Sequence, residues 1–148
     1  MNFEFSEEQQ LLREQANGFL AEFCSPAVVR TILDGESDWD QNLWRRVVDM
    51  GWTATVIPEV YGGLGLTYYE LAILAEELGR VLAPIPFSSS VYLASEAILR
   101  FGSEQQKSEW LPKLASGECV ATFALDERPG RLIPTQLNTR RIDNSLVG

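Results

Sequence analysis

Three times along this chain a serine or threonine is followed, three positions later, by a glutamine or glutamate. Each time an apolar pattern of helical period begins at once. Ser6-Glu7-Glu8-Gln9, Thr67-Tyr68-Tyr69-Glu70 and Ser103-Glu104-Gln105-Gln106 can each form a reciprocal capping box. The hydroxyl and the longer side chain then satisfy backbone donors that the first helical turn leaves unpaired. The first box opens onto Leu12, Ala16, Phe19, Leu20 and Phe23, spaced by threes and fours. The second opens onto Leu71, Leu74, Ala75 and Leu78, and the third onto Trp110, Leu111 and Leu114. Such stripes bury one helical face each.

Further helices follow from single signals. Pro26 opens a short one over Val28 to Leu33, and Asp40 caps one carrying Leu43, Trp44, Val47 and Val48, with Gly51 as its left-handed stop. Pro86 and Ser88-Ser89-Ser90 lead into a helix through about Arg100, with Leu93, Ala97 and Ile98 as its apolar positions. Trp52 to Ile57 reads as a short extended run, and glycine-rich Pro58 to Leu66 as a loop without regular structure. After Gly117 the periodicity changes. Cys119 to Leu125 reads as a buried strand, and Gln136 to Ile142, Asp143-Asn144 and Ser145 to Val147 as a hairpin. The expected fold is mainly α: a bundle of about five to six helices over residues 1–117, then an incomplete antiparallel β segment over 118–148. A sheet remnant this small has unpaired edges, which points to a longer parent chain or to a partner that completes it.

Composition removes several functions. Twelve basic against 21 acidic residues give a formal charge of −9, so nucleic acid is not an expected partner. Adhesion to anionic membranes is disfavoured for the same reason. No stretch reaches the ~20 apolar residues of a membrane span, and Met1 to Glu8 has no signal-peptide character. The chain is therefore expected in the cytoplasm. It has no histidine and two distant cysteines, Cys24 and Cys119, which leaves no metal site and no histidine-based triad to expect. Both thiols, and Trp39, Trp44, Trp52 and Trp110, are expected as packing residues. Gly62-Gly63-Leu64-Gly65 lacks the lysine of a phosphate loop, so its glycines are expected to serve backbone geometry instead.

Three segments in order carry a family likeness. Pro58-Glu59-Val60-Tyr61-Gly62-Gly63-Leu64-Gly65 resembles the PEEYGGxG loop of acyl-CoA dehydrogenases, and it is followed, as in that family, by Glu76-Glu77-Leu78-Gly79. Gly102 to Lys107 and Trp110 to Glu118 resemble the family's run through QK, LP and SGE. The resemblance implies an N-terminal α domain ahead of a middle β domain and a C-terminal helical domain. It implies FAD as cofactor and α,β-dehydrogenation of an acyl-CoA thioester to a 2-enoyl-CoA, with this chain supplying the helical wall of the acyl and flavin cleft. The base is a glutamate of the C-terminal domain, so no catalytic residue is assigned to this chain, and Glu59, Glu76 and Glu77 are read as structural. By the same resemblance Ile85, Ser88, Ser89, Tyr92 and Leu93 approach the acyl tail, and Phe123, Leu125 and Asp126 fall on the flavin-contacting segment. Asp126 stands where the family has threonine, and Arg131 and Leu132 stand where it has Gly-Ser. Those departures leave a second role open, a non-catalytic partner subunit of a heteromeric dehydrogenase with a degenerate flavin site. Acyl-CoA, related subunits in a homo- or hetero-oligomer, and an electron-accepting flavoprotein are the implied partners.

Overall fold

A computed structural model of the chain describes residues 5–35, 37–124, 137–143 and 145–147. Helices dominate: α1 (Glu7–Phe23), α2 (Pro26–Leu33), α3 (Gln41–Asp49), α4 (Tyr68–Arg80), a π-helical segment (Ser88–Ser95) running directly into α5 (Glu96–Phe101), and α6 (Glu104–Ala115). A two-stranded antiparallel ribbon follows, β1 (Arg140–Ile142) and β2 (Ser145–Val147), with Arg141 opposite Leu146. Asp143 takes a left-handed backbone (φ 52°) in its turn, as tight hairpin turns require.

All three capping boxes form. Ser6 Oγ accepts the Gln9 amide at 3.2 Å while Gln9 Oε1 accepts that of Ser6 at 3.1 Å; Thr67 and Glu70, and Ser103 and Gln106, do the same for α4 and α6. Two boxes are also joined to each other, because Gln9 Nε2 donates to Glu70 Oε1 at 2.8 Å. The starts of α1 and α4 therefore lie side by side. Further along, Arg13 Nε reaches Glu77 Oε1 at 3.2 Å and Asn17 Nδ2 reaches Glu77 Oε2 at 3.2 Å. The two helices run in the same direction, with Ala16 and Leu20 of α1 and Leu71, Leu74 and Leu78 of α4 in one core. Val29, Leu43, Trp44, Val47, Trp52, Phe87 and Val91 complete that core with Cys24.

Glu77 is the exception within this apolar packing, its side chain only 3% exposed. Burial works against its charge, but hydrogen bonds from Arg80, Arg13 and Asn17 outweigh that penalty and hold the carboxyl below its ordinary range. Arg80 Nε donates at 3.0 Å from the next turn of α4 itself. Glu76 pairs with the same Arg13, at 2.5 Å.

Trp52 to Ile57 is not extended. Gly51 turns left-handed (φ 76°) and Trp52–Ala54 closes a 3₁₀ turn. Thr53 and Thr55 are buried and spend their hydroxyls on the carbonyls of Ala115 and Trp52, both at 2.7 Å. An apolar run buried on every side has no period by which sequence could separate strand from turn. The glycine loop then folds back onto this turn, with Leu64, Gly65 and Leu66 amides donating to Ala54, Ile57 and Thr55 carbonyls. Gly62 and Gly65 have positive φ. Gly63 is needed for a different reason, since a Cβ there would lie 1.9 Å from the Ile57 carbonyl oxygen.

The strand expected at Cys119 to Leu125 is also corrected. Residues 119–124 form no strand, and Val120 and Phe123 are exposed; with no ladder partner among the described residues, apolar composition alone does not make a strand. Cys24 is buried, as expected, and burial followed by the nearby Asp40 carboxylate pushes its thiol up; Cys119 is half-buried.

Glu77→Gln should destabilise the chain by about 2–3 kcal/mol in urea melts, less than for a fully buried pair because both arginine heads reach water. The depressed carboxyl stabilises the fold above the unfolded value near 4.5. That contribution should fade as pH falls below it, and the acid slope should shrink in the variant. Gly63→Ala should cost about 3 kcal/mol through its carbonyl clash. Gly18→Ala, a helical site with nothing within 4 Å of the new Cβ, should instead gain up to about 1 kcal/mol.

Candidate functional site

The segment expected to face an acyl group is the one stretch of long helix, among the described residues, that is not α-helical. Ser88–Ser95 is wound with the wider π pitch, a geometry that is rare and frequent at functional sites. Ser95 Oγ donates to the Ser90 carbonyl five residues back at 2.9 Å, giving that widened turn a side-chain partner. Ser90, Val91, Ala94 and Ser95 face inward, and Ser88 and Leu93 lie outside. Leu93, expected on the apolar face of an ordinary helix, is 49% exposed. The buried positions Phe87, Ser90, Val91, Ala94 and Ser95 form one face, and Leu93 lies on the side of the helix away from it.

Ile85 sits in the tight turn before this segment, its amide donating to Ala83 O at 2.8 Å. Ile85, Ser88 and Tyr92 come together with Leu78, Leu82 and Phe87 around a cavity of about 180 Å³ between the end of α4 and the π-helix. Tyr92 packs edge-on against Phe87, ring centres 5.3 Å apart. Burial pushes its hydroxyl up to about 12, so it stays neutral at ordinary pH. A second cavity of about 350 Å³ shares Tyr92 and Ala75 and continues along α4 to Tyr68 and Glu96. Its end is polar: Tyr68 Oη donates to Glu96 Oε2 at 2.7 Å, and Arg100 pairs with the other carboxylate oxygen. Ser89 is half-buried with its hydroxyl donated to Pro86 O at 3.1 Å, and neither Ser89 nor Leu93 lines these two cavities.

On the other flank, Ser90 Oγ accepts the Ala121 amide at 3.4 Å. This bond holds the 119–124 segment against the π-helix. Phe123 extends from it with 47% of its surface in solvent. Leu125 and Asp126 lie outside the described residues. Sequence reasoning named Ser88 and Ser89 and missed Ser90, the serine that links the two segments. Ser90 shares a face with Phe87, Val91 and Ala94, the buried side of this segment, whereas Ser88 is exposed and Ser89 half-buried. A third cavity, about 390 Å³, lies between α5 and α6 against Cys119 and Ala121. Trp110 lines it half-exposed rather than buried in the core, with the Lys113 ammonium 4.7 Å above its ring. Among the described residues no helix is long and apolar enough to cross a membrane.

Residues 6–118 match the family model for the acyl-CoA dehydrogenase N-terminal domain. Among curated relatives, acyl-CoA dehydrogenase IpdE2 of Mycolicibacterium smegmatis is 38% identical over 122 residues, covering 82% of this chain and 38% of the relative. Among solved structures, the ChsE4-ChsE5 complex from Mycobacterium tuberculosis superposes with a TM-score of 0.79 at 33% identity, over 88% of this chain and 36% of that one. An acyl-CoA dehydrogenase complexed with FAD from Bacillus anthracis superposes with a TM-score of 0.76 at 30% identity, over 86% of this chain and 22% of that one. The chain spans about a third of the length of the curated relatives it matches.

Ser90→Ala should remove the acceptor for the Ala121 amide and free the 119–124 segment. Hydrogen exchange at Ala121 should speed up about tenfold, the equivalent of about 1.4 kcal/mol, while the amides of α1 and α4 keep their protection.

Proposed function

The chain belongs to the acyl-CoA dehydrogenase family, and from that premise we propose that it forms one wall of a cleft in which an acyl-CoA thioester is dehydrogenated to a 2-enoyl-CoA. Residues 1–117 are the helical domain in this reading, and 118–148 begin the middle β domain. Ile85, Ser88, Ser89, Tyr92 and Leu93 bound the acyl group. The observation that carries the reading is the π-helical Ser88–Ser95: it leaves Ser88 and Leu93 outward on the segment that the family likeness assigns to the substrate.

The α C–H of a thioester is a weak acid, so the reaction needs a carboxylate base, donors at the thioester carbonyl and a hydride acceptor at the β carbon. FAD supplies the acceptor when bound. Phe123 fits a flavin neighbour, since its exposed ring sits on a segment anchored by Ser90; Leu125 and Asp126 follow it in sequence. The part played by the chain's own residues is to exclude water from the acyl group and to fix its position against that segment. None of its acids is the base in this reading: Glu77 is buried within ion pairs, and Glu76 is held by Arg13. Related subunits and an electron-accepting flavoprotein complete the reaction, and the free thiols Cys24 and Cys119 suit a cytoplasmic setting.

Asp126, Arg131 and Leu132 favour a second arrangement, in which the chain belongs to a non-catalytic subunit beside a flavin-bearing one. Two measurements on the enzyme purified from its own gene separate these. Visible flavin absorbance that bleaches when an acyl-CoA is added without oxygen supports the dehydrogenase reading. A colourless protein that copurifies with a coloured, related subunit supports the second. A colourless protein with no such partner contradicts both.

A further inference from the structure

Ser90 is engaged through all three of its polar groups. Its amide donates to Pro86 O at 3.1 Å, its carbonyl accepts the Ser95 hydroxyl at 2.9 Å, and its own hydroxyl accepts the Ala121 amide at 3.4 Å. Ser90 and Ser95 are each 1% exposed, and the neighbouring Phe87 and Val91 are buried with them. A residue locked by packing and hydrogen bonds places its hydroxyl accurately. The segment that this hydroxyl holds has less support. Cys119 N donates to Lys113 O at 3.1 Å, which ties the beginning of the segment to α6. Among the described residues, the Ala121 bond to Ser90 is then the last fixed point before Phe123. Ser90 lies two positions after Ser88 and two before Tyr92, so it points about half a turn away from both. Ser88 and Tyr92 face the cavity beside α4, and Ser90 faces Ala121.

We propose that Ser90 is a positioning residue for the dehydrogenation: by holding the Ala121 amide it sets the distance between the π-helical wall and the segment that bears Phe123. The inference rests on the dehydrogenase reading above and adds to it the residue that keeps those two parts in register. In that reaction the α proton passes to the base and a hydride passes from the β carbon to the bound flavin, so no further reactant is needed. Hydride transfer depends on distance more steeply than binding does, and a misplacement of about 1 Å costs on the order of 10²-fold in rate. Ser90 lines neither of the cavities beside α4. Its loss is therefore felt in turnover and not in affinity for the acyl group.

The test uses the flavin-loaded enzyme purified from its own gene, with butanoyl-CoA, octanoyl-CoA and hexadecanoyl-CoA as probes. For the best of these, kcat in Ser90→Ala should fall about tenfold while KM moves less than about twofold. The FAD dissociation constant, followed by flavin fluorescence on the apoenzyme, should rise severalfold as the segment loosens. Ser90→Thr keeps the hydroxyl and should restore both values. If the threonine variant melts lower, Ala121→Pro decides in its place. It removes the amide from the other side of the same bond, so its effect on kcat should not add to that of Ser90→Ala. A KM that rises with kcat unchanged puts Ser90 in contact with the acyl group and overturns the proposal. Turnover that no variant moves, or losses from Ser90→Ala and Ala121→Pro that add in full, also overturns it and leaves the dehydrogenase reading standing. A parent enzyme that is colourless or turns over no acyl-CoA overturns both.

Discussion

The Glu77 carboxylate, held between α1 and α4, sets the frame on which the rest is hung. Two helices that run in the same direction bring like ends of their dipoles together, an arrangement that electrostatics alone disfavours. Here the starts are bridged by Gln9 and Glu70, and further along Arg13 and Asn17 of α1 converge on Glu77 of α4, with Arg80 of α4 as its third donor. A buried charge is costly unless its oxygens are fully bonded, and both oxygens of Glu77 have donors. The polar pairing fixes register, and Ala16, Leu20, Leu71, Leu74 and Leu78 then supply the apolar burial that drives the contact.

With α4 fixed in this way, one of its flanks is committed to α1 and the other is free to form a trough with the π-helix. Ala75 and Tyr92 sit in the middle of that trough, where its two cavities meet. Ser90 faces inward on the π-helical segment, where its hydroxyl accepts the Ala121 amide of the segment bearing Phe123. The helical frame, the π-helical segment and the segment bearing Phe123 are in this sense one connected arrangement.

Much of the helical frame could be read from residues alone because its signals are local. A capping box needs four residues, and Ser6, Thr67 and Ser103 each sit at the start of a helix that forms. Asp40, Pro26 and the left-handed stop at Gly51 are likewise decided by their own neighbours. What misled was non-local. Trp52 to Ile57 forms a turn because Thr53 finds a carbonyl on α6, sixty-two residues away, and Cys119 to Ala124 is apolar without a ladder. Of the site, Ile85, Ser88 and Tyr92 are gathered around one cavity, whereas Ser89 and Leu93 line neither it nor its neighbour. Ser90 could be recognised only once the backbone was seen, from its depth.

The account stands on the π-helical segment being a wall of the substrate cleft. A structure of the complete enzyme with a non-reactive acyl-CoA analogue bound measures this directly, through the distances from the acyl carbons to the side chains of residues 85–93. Contacts within about 4 Å to Ile85, Tyr92 or Leu93 are the predicted result. An acyl chain lying against other helices, with none of its carbons in reach of this segment, would contradict it.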